Sequence, residues 1–282
     1  MRTVLRPIPA VILQRAMIRE PAVAGAFYPA GAAELASGVD RFLAAGKSPA
    51  APALGVLVPH AGYVYSGAVA GATYARVAVP PRVVVLGPNH TGLGFARAAL
   101  APASSWRTPL GQVARDEPLC ELLAAAPGVA IDAAAHAREH SLEVQLPFLQ
   151  RSRSGFTLAA LCLAHLRYRE CEQLGEAVAA ALRDAPALLV ASSDMSHYLP
   201  ADEARQADQR ALEPLLALDA EELYRRVHEE EITMCGIIPA VVMLLAARAL
   251  GAASAELVRY AHSGEVSGDD DRVVGYAGVV IR

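Results

Sequence analysis

Four short runs of this chain are apolar at every position: VLV (56–58), VVVL (83–86), LAALCL (158–163) and LLVA (188–191). A strand with one face in water alternates apolar and polar residues. A run without alternation, bounded by turn residues, suits a strand buried on both faces. Double burial requires helices above and below the sheet, and helical patterns lie between and after these runs, over 32–45, 67–78, 118–125, 141–150, 171–183, 201–218, 220–227 and 238–250. This alternation predicts a three-layer α/β/α fold around a central, mostly parallel or mixed sheet. An interrupted pattern near 97–109 favours the mixed form, as does the closing strand VVGYAGVVIR with RYAHSGEV as its neighbour.

The 282 residues suit one large domain, expected over 19–282 after an N-terminal tail of 1–18, with Met17 as a second plausible start. The formal charge of −4 gives no basic footprint, which argues against nucleic acid as a partner. The longest apolar run, 237–247, contains Pro239 and stops before Arg248, so no membrane span is expected. Cys120, Cys162, Cys171 and Cys235 form no CxxC pair, the pattern of reduced thiols in a cytoplasmic protein. Lys47 is the sole lysine, so a catalytic-lysine mechanism would have to run through it.

Three of the strand candidates end alike. VLVPH closes on His60, VVVLGPNH on His90, and LLVASSDMSH on Asp194 and His197. In open α/β sheets the loops at the carboxyl ends of strands build the site. Gly62, Gly67, Gly87 and Gly92 lie nearby, where backbone could approach a ligand. Converging neutral imidazoles are the commonest start of a metal site, and they need a third ligand. Cys235, just before Gly236 and a helix start, is either that ligand, with its thiol pKa lowered by the helix N-terminus, or a buried cysteine capping an apolar helix. His136-Ala-Arg-Glu139-His140 spells an inverted zinc-peptidase motif, but no distant acidic ligand accompanies it. His136 is expected to face outward and His140 to approach the pocket.

Seven blocks in order carry a wider resemblance: REPAVAGAFYPA (19–30), VPHAGYVYSG (58–67), VLGPNH (85–90), RTPLG (107–111), EHSLEVQLPFL (139–149), SSDMSHY (192–198) and MCG (234–236). They resemble the Memo family, called AmmeMemoRadiSam system protein B in prokaryotes. The resemblance implies a fold similar to the LigB-like class III extradiol dioxygenases, which hold Fe(II) with two histidines and a carboxylate. On the matching positions it implies His60 and His90 as metal ligands, with Cys235 where the carboxylate would be. It implies His197 as an acid–base histidine with Asp194 beside it to orient it. It places Tyr65 and Phe27 on the pocket wall, and Glu139 and His140 on the substrate side. The implied cofactor is one metal ion, iron or copper, with zinc a third candidate, because a thiolate is softer than a carboxylate. The implied function is that of a metal-dependent, dioxygenase-like oxidoreductase acting on a small molecule. The alternative is a non-catalytic copper-binding or peptide-binding protein using the same pocket. The prokaryotic name also implies a pathway shared with a radical-SAM protein and an AMMECR-like protein.

Overall fold

A computed structural model describes residues 17–46 and 49–282; Lys47 and all but the last two residues of the expected tail lie outside the described residues. In chain order the elements are β1 (Ile18–Arg19), α1 (Ala32–Ala44), β2 (Gly55–Val58), α2 (Tyr63–Tyr74), β3 (Arg82–Pro88), β4 (Ala98–Leu100), β5 (Ser105–Thr108), β6 (Gly111–Arg115), α3 (Glu117–Ala124), β7 (Val129–Ile131) and α4 (Ala133–Ala137). A 3-10 turn (Glu143–Gln145) leads into α5 (Leu146–Ser152). Then follow β8 (Thr157–Leu163), α6 (Tyr168–Leu182), β9 (Leu188–Ser192), β10 (His197–Leu199), α7 (Ala201–Leu216), α8 (Ala220–Glu229), α9 (Ile237–Ala249), β11 (Ala255–His262), α10 (Gly264–Ser267) and β12 (Val273–Ile281).

The four apolar runs are β2, β3, β8 and β9, and they lie side by side, all parallel, in the order β8-β3-β9-β2. Antiparallel strands flank them: β12 on β2, with β11 beyond it, and β4 on β8. The sheet is therefore mixed, as the interrupted pattern and terminal pair predict. Successive side chains leave opposite faces. Leu57, Val84, Leu86, Leu161 and Leu189 pack in the core that holds α6, α7, α8 and α9. Val56, Val58, Val85, Ala160 and Val190 pack in the core that holds α1, α2 and α5. Every residue of β2 and β9 is buried, which accounts for the missing alternation.

Two expectations shift. The helix read at 67–78 begins earlier, at Tyr63, directly after Gly62. The helix read at 141–150 is a 3-10 turn followed by α5, with Pro147 in the first turn of α5, where its missing N–H costs nothing. Among the described residues, no helix is long and apolar enough to cross a membrane.

Candidate metal centre

The adjacency of β3, β9 and β2 creates the site. His90, Asp194 and His60 each stand two residues beyond the end of one of these strands, so three neighbouring carboxyl ends deliver them to one edge of the sheet. The 138–142 loop brings His140 over the same edge. These residues line a cleft of about 640 Å³, with Phe27, Tyr65, His197, Tyr198, Arg272 and Tyr276 among its other walls. One ligand nitrogen from each of His60, His90 and His140 lies within 4.8 Å of the others. The His90 and His140 rings stack at 4.6 Å, and His60 meets both edge-on, at 5.0 and 5.4 Å.

Hydrogen bonds behind the rings settle which nitrogens face the cleft. Gln145 accepts from the Tyr74 hydroxyl (3.0 Å) and donates through Nε2 to the Pro59 carbonyl (3.0 Å) and to Ser192 Oγ (2.9 Å). The single hydroxyl proton of Ser192 goes to the Ser141 carbonyl, 2.7 Å away. The 2.9 Å contact between Ser192 Oγ and His60 Nδ1 therefore has His60 as donor. His60 Nε2 is left with a lone pair. His90 Nδ1 lies 2.9 Å from Glu139 Oε1, so it too carries the proton and frees Nε2. A histidine whose far nitrogen donates to an oxygen is oriented and made more basic as a metal ligand. Burial pushes the His60 pKa well below 6.5, and the His140 pKa down to about 4, so both rings are neutral donors at neutral pH. The donor set fits a metal ion.

Glu139 organises the far side. Fully buried, it accepts from His90 N (2.7 Å), the His90 ring, His140 N (2.9 Å) and Ser141 N (2.9 Å). Burial raises its pKa, but the His90 ring and the Ser141 amide outweigh that and hold it at about 2. Arg19 and Glu143 fix the loop as a whole. Arg19 donates to the carbonyls of His136 and Glu139 and pairs with buried Glu143. Glu143 in turn accepts from Ala22 N, Val23 N and the Tyr28 hydroxyl. The first sequence block thus acts as a clamp on the EHSLEVQ block.

Cys235 Sγ lies 3.2 Å from His60 Nε2 and accepts from Asp194 N at 3.3 Å. It stands outside the three-histidine group and does not line the cleft. A Cβ on Gly236 would collide with the Ser192 carbonyl and Ser193, so only glycine lets this loop sit against the end of β9. The thiol pKa is not lowered by the start of α9. Burial pushes it up, and the nearby Asp194 charge adds to the rise.

Asp194 accepts from His60 N (2.7 Å) and Ala61 N (3.3 Å), while its other oxygen lies 4.0 Å from His60 Nε2. Burial raises its pKa to about 6 against the pull of the His60 amide. It does not hydrogen-bond the His197 ring: His197 Nδ1 donates to the Thr233 carbonyl at 2.9 Å, so Thr233 sets that tautomer. Phe27 packs on His140 at 4.6 Å, and Tyr65 lines the cleft, 40 % exposed.

His136 does not face outward. It is buried, its Nε2 donates to the Ala99 carbonyl at 2.9 Å, and its ring meets Trp106 edge-on. It neither lines the cleft nor belongs to the group of converging ligand nitrogens, so His136 and His140 do not chelate one ion. Gly67 serves packing, not a ligand: a Cβ there would strike the Phe42 ring. Ser192 and Gln145 went unassigned in the sequence although both lie in the quoted blocks. Thr233 and Arg272 lie outside those blocks and carry no sequence signal of a role.

Comparison with known proteins agrees with this architecture. The model of the Memo-like protein family matches residues 19–280. The MEMO1 family protein of Aquifex aeolicus is 42% identical over 264 residues, covering 93% of this chain and 98% of its own length. That of Methanopyrus kandleri is 42% identical over 282 residues, covering 94% and 99%. That of Methanococcoides burtonii is 39% identical over 268 residues, covering 94% and 100%. An uncharacterized protein of Escherichia coli K12, solved by crystallography, shares the fold, with TM-score 0.50, 18% identity, and 81% and 99% coverage. The chain belongs to the Memo family.

Proposed function

We propose that this Memo-family protein is a metal-dependent oxidoreductase, dioxygenase-like, acting on a small molecule in the histidine cleft. The observation that carries the reading is the fixed tautomers: His60 and His90 each spend Nδ1–H on a protein oxygen and keep the Nε2 lone pair for a ligand, with the two rings 5.0 Å apart. His60 and His90 would hold the ion, with Cys235 reaching it from the His60 side as the third ligand. Two donors sharing a tetrahedral ion, one nitrogen and one sulfur, stand roughly 3.5 Å apart, and the Sγ to Nε2 separation here is 3.2 Å. Iron or copper suits such a mixed set, with zinc also compatible. The ion would supply Lewis-acid or redox chemistry at the open end of the cleft. The chain's own groups do the rest. His197, its Nδ1 proton held by Thr233, takes up or delivers a proton at Nε2. Asp194 holds the backbone of His60 and Ala61 so that the His60 ring keeps its place. Phe27 and Tyr65 form an aromatic wall for the substrate.

A second reading, metal storage without catalysis, is favoured by His140. With His60, His90 and Cys235 it makes four donor side chains around one region, enough to close a coordination sphere. Anaerobic reconstitution with Fe(II), Cu(I) or Co(II), followed by elemental analysis, tests binding. Oxygen uptake on catechol-like substrates then separates the readings. Thiolate-to-cobalt charge-transfer absorption that vanishes in Cys235→Ser and survives in His140→Ala supports the thiolate set. No such absorption in the wild-type cobalt protein, with affinity lost in His140→Ala, replaces it with three histidines.

A further inference from the structure

At the mouth of the cleft stands a pair of side chains to which the metal chemistry gives no task. Tyr198 follows His197 in β10, is 65 % exposed and has φ of 63°. A left-handed backbone at a bulky residue costs on the order of 1–2 kcal/mol. The ladder between β10 and β12 slips at this point: His197 pairs with Val274, and Leu199 with Val273. Such a bulge re-aims a side chain, and the Tyr198 ring lines the cleft. The preceding backbone is tied down. Ser196 donates through N (2.8 Å) and Oγ to buried Asp208, and His197 N donates to Thr233 Oγ1 at 2.7 Å. Arg272, the residue before β12, lines the same cleft, its guanidinium carbon 5.3 Å from the centre of the Tyr198 ring. An aromatic face occupies one side of the guanidinium plane and leaves its in-plane N–H fork free, the geometry that binds a carboxylate or phosphate through two parallel hydrogen bonds.

We propose that Arg272, seated on Tyr198, is the specificity-determining residue of the cleft, and that its ligand is a small oxyanion, carrying a carboxylate or phosphate at the end that meets Arg272. The inference rests on the proposed function for what happens at the other end of the ligand. Arg272 is the one arginine, with no lysine beside it, among the described residues that line the cleft, so it supplies that wall's fixed positive charge. Asp194 and Asp269 bring carboxylates to the same walls, which makes a neutral or cationic ligand the competing outcome.

The test is equilibrium binding to the full metal-free chain, with benzoate and inorganic phosphate as the two oxyanion probes. Benzamide and benzamidine serve as neutral and cationic counterparts. Benzoate should bind at least about tenfold more tightly than benzamide, since a hydrogen-bonded charge is worth that much or more. Arg272→Gln should erase the preference, Arg272→Lys should keep part of it, and Tyr198→Ala should weaken it several-fold. Tighter binding of phosphate than of benzoate names the phosphate class, and the reverse names the carboxylate class. Equal or tighter binding of benzamide or benzamidine overturns the proposal, as does benzoate affinity within twofold of wild type in Arg272→Gln. Both residues are exposed, and circular dichroism confirms that the variants are folded. A Co(II) titration of the wild type runs alongside. Benzoate bound through Arg272 without cobalt binding sinks the proposed function and leaves the oxyanion subsite standing. Cobalt binding without anion preference does the opposite.

Discussion

Replacing Glu139 by glutamine changes one oxygen to NH₂ and removes one charge, in a side chain that hydrogen-bonds the ring of His90, a proposed metal ligand. In the native protein Oε1 accepts three N–H donors and Oε2 accepts a fourth, from His90 N. A glutamine can keep its carbonyl toward the group of three, but its amide then faces the His90 N–H, donor against donor. Each of the three surviving bonds drops from a charge-assisted to a neutral one, about 1 kcal/mol apiece, and the unmatched His90 amide adds about 1–3 kcal/mol. Cheaper burial of a neutral amide offsets part of this, leaving a loss of about 3 kcal/mol. The functional effect is separate. The His90 ring loses its carboxylate partner, so Nε2 becomes less basic and less well aimed, and metal affinity should fall 10- to 100-fold, the usual worth of such an orienting group. Competitive Co(II) titration against a chelator reads the affinity, and urea unfolding of the metal-free chain reads the stability. If Glu139→Gln unfolds earlier yet binds Co(II) within twofold of wild type, Glu139 is a strut for the loop and does not tune His90.

Arg19→Met should lower unfolding stability by about 3–5 kcal/mol in urea titrations, because it leaves the Glu143 carboxylate buried without its cation; a loss under about 1 kcal/mol would show that the clamp on the 136–143 loop lies elsewhere. His136 is neutral and buried, with burial lowering its pKa from 6.5 to about 4. Above pH 6.5 neither the folded nor the unfolded state holds the proton. As pH falls toward 4 only the unfolded state takes it up, so stability drops by up to about 3 kcal/mol and then levels off. His136→Gln should accordingly lose less stability than wild type between pH 7 and 4.5, and parallel losses in the two proteins would refute the assignment. His197→Ala should keep the metal content of wild type while turnover, once a substrate is in hand, falls on the order of 10²–10⁴-fold; metal lost in this variant would make His197 a ligand.

Much of the architecture was legible because double burial leaves a plain mark. The middles of β2, β3, β8 and β9 are apolar without alternation, because a strand covered on both faces leaves little room for polar residues except at its ends. The convergence of His60, His90 and Asp194 was legible for the same reason, since strand ends can be located once the strands are. What stayed hidden depends on contacts distant in sequence. His136 reads as half of a helical metal pair, yet its ring turns into the core because Trp106 and the Ala99 carbonyl receive it there. The Cys235 thiol reads as activated by a helix start, yet desolvation outweighs that partial charge. Asp194 is close to His197 in sequence, and proximity suggested that it orients that ring; the backbone between them turns, and Thr233, from the segment before α9, takes the role. Arg272 follows three aspartates and reads as solvated charge, until the register slip in β10 brings an aromatic ring beneath it.

The seating of β12 against β2 has a consequence for how the protein comes into being. Leu57 pairs with Val279 and Gly55 with Ile281, partners from the two ends of the domain, while the other edge of β2 belongs to β9. During synthesis His60, His90, His140 and Cys235 all leave the ribosome before Val273 does. Until β12 arrives, β2 is an open edge strand, and the wall formed by Arg272 and Tyr276 does not exist. Contacts of such sequence separation close late and slowly. The nascent chain thus carries every proposed metal-binding group before it has the cleft, and closure by β12 ties the appearance of that cleft to the synthesis of Val273–Ile281.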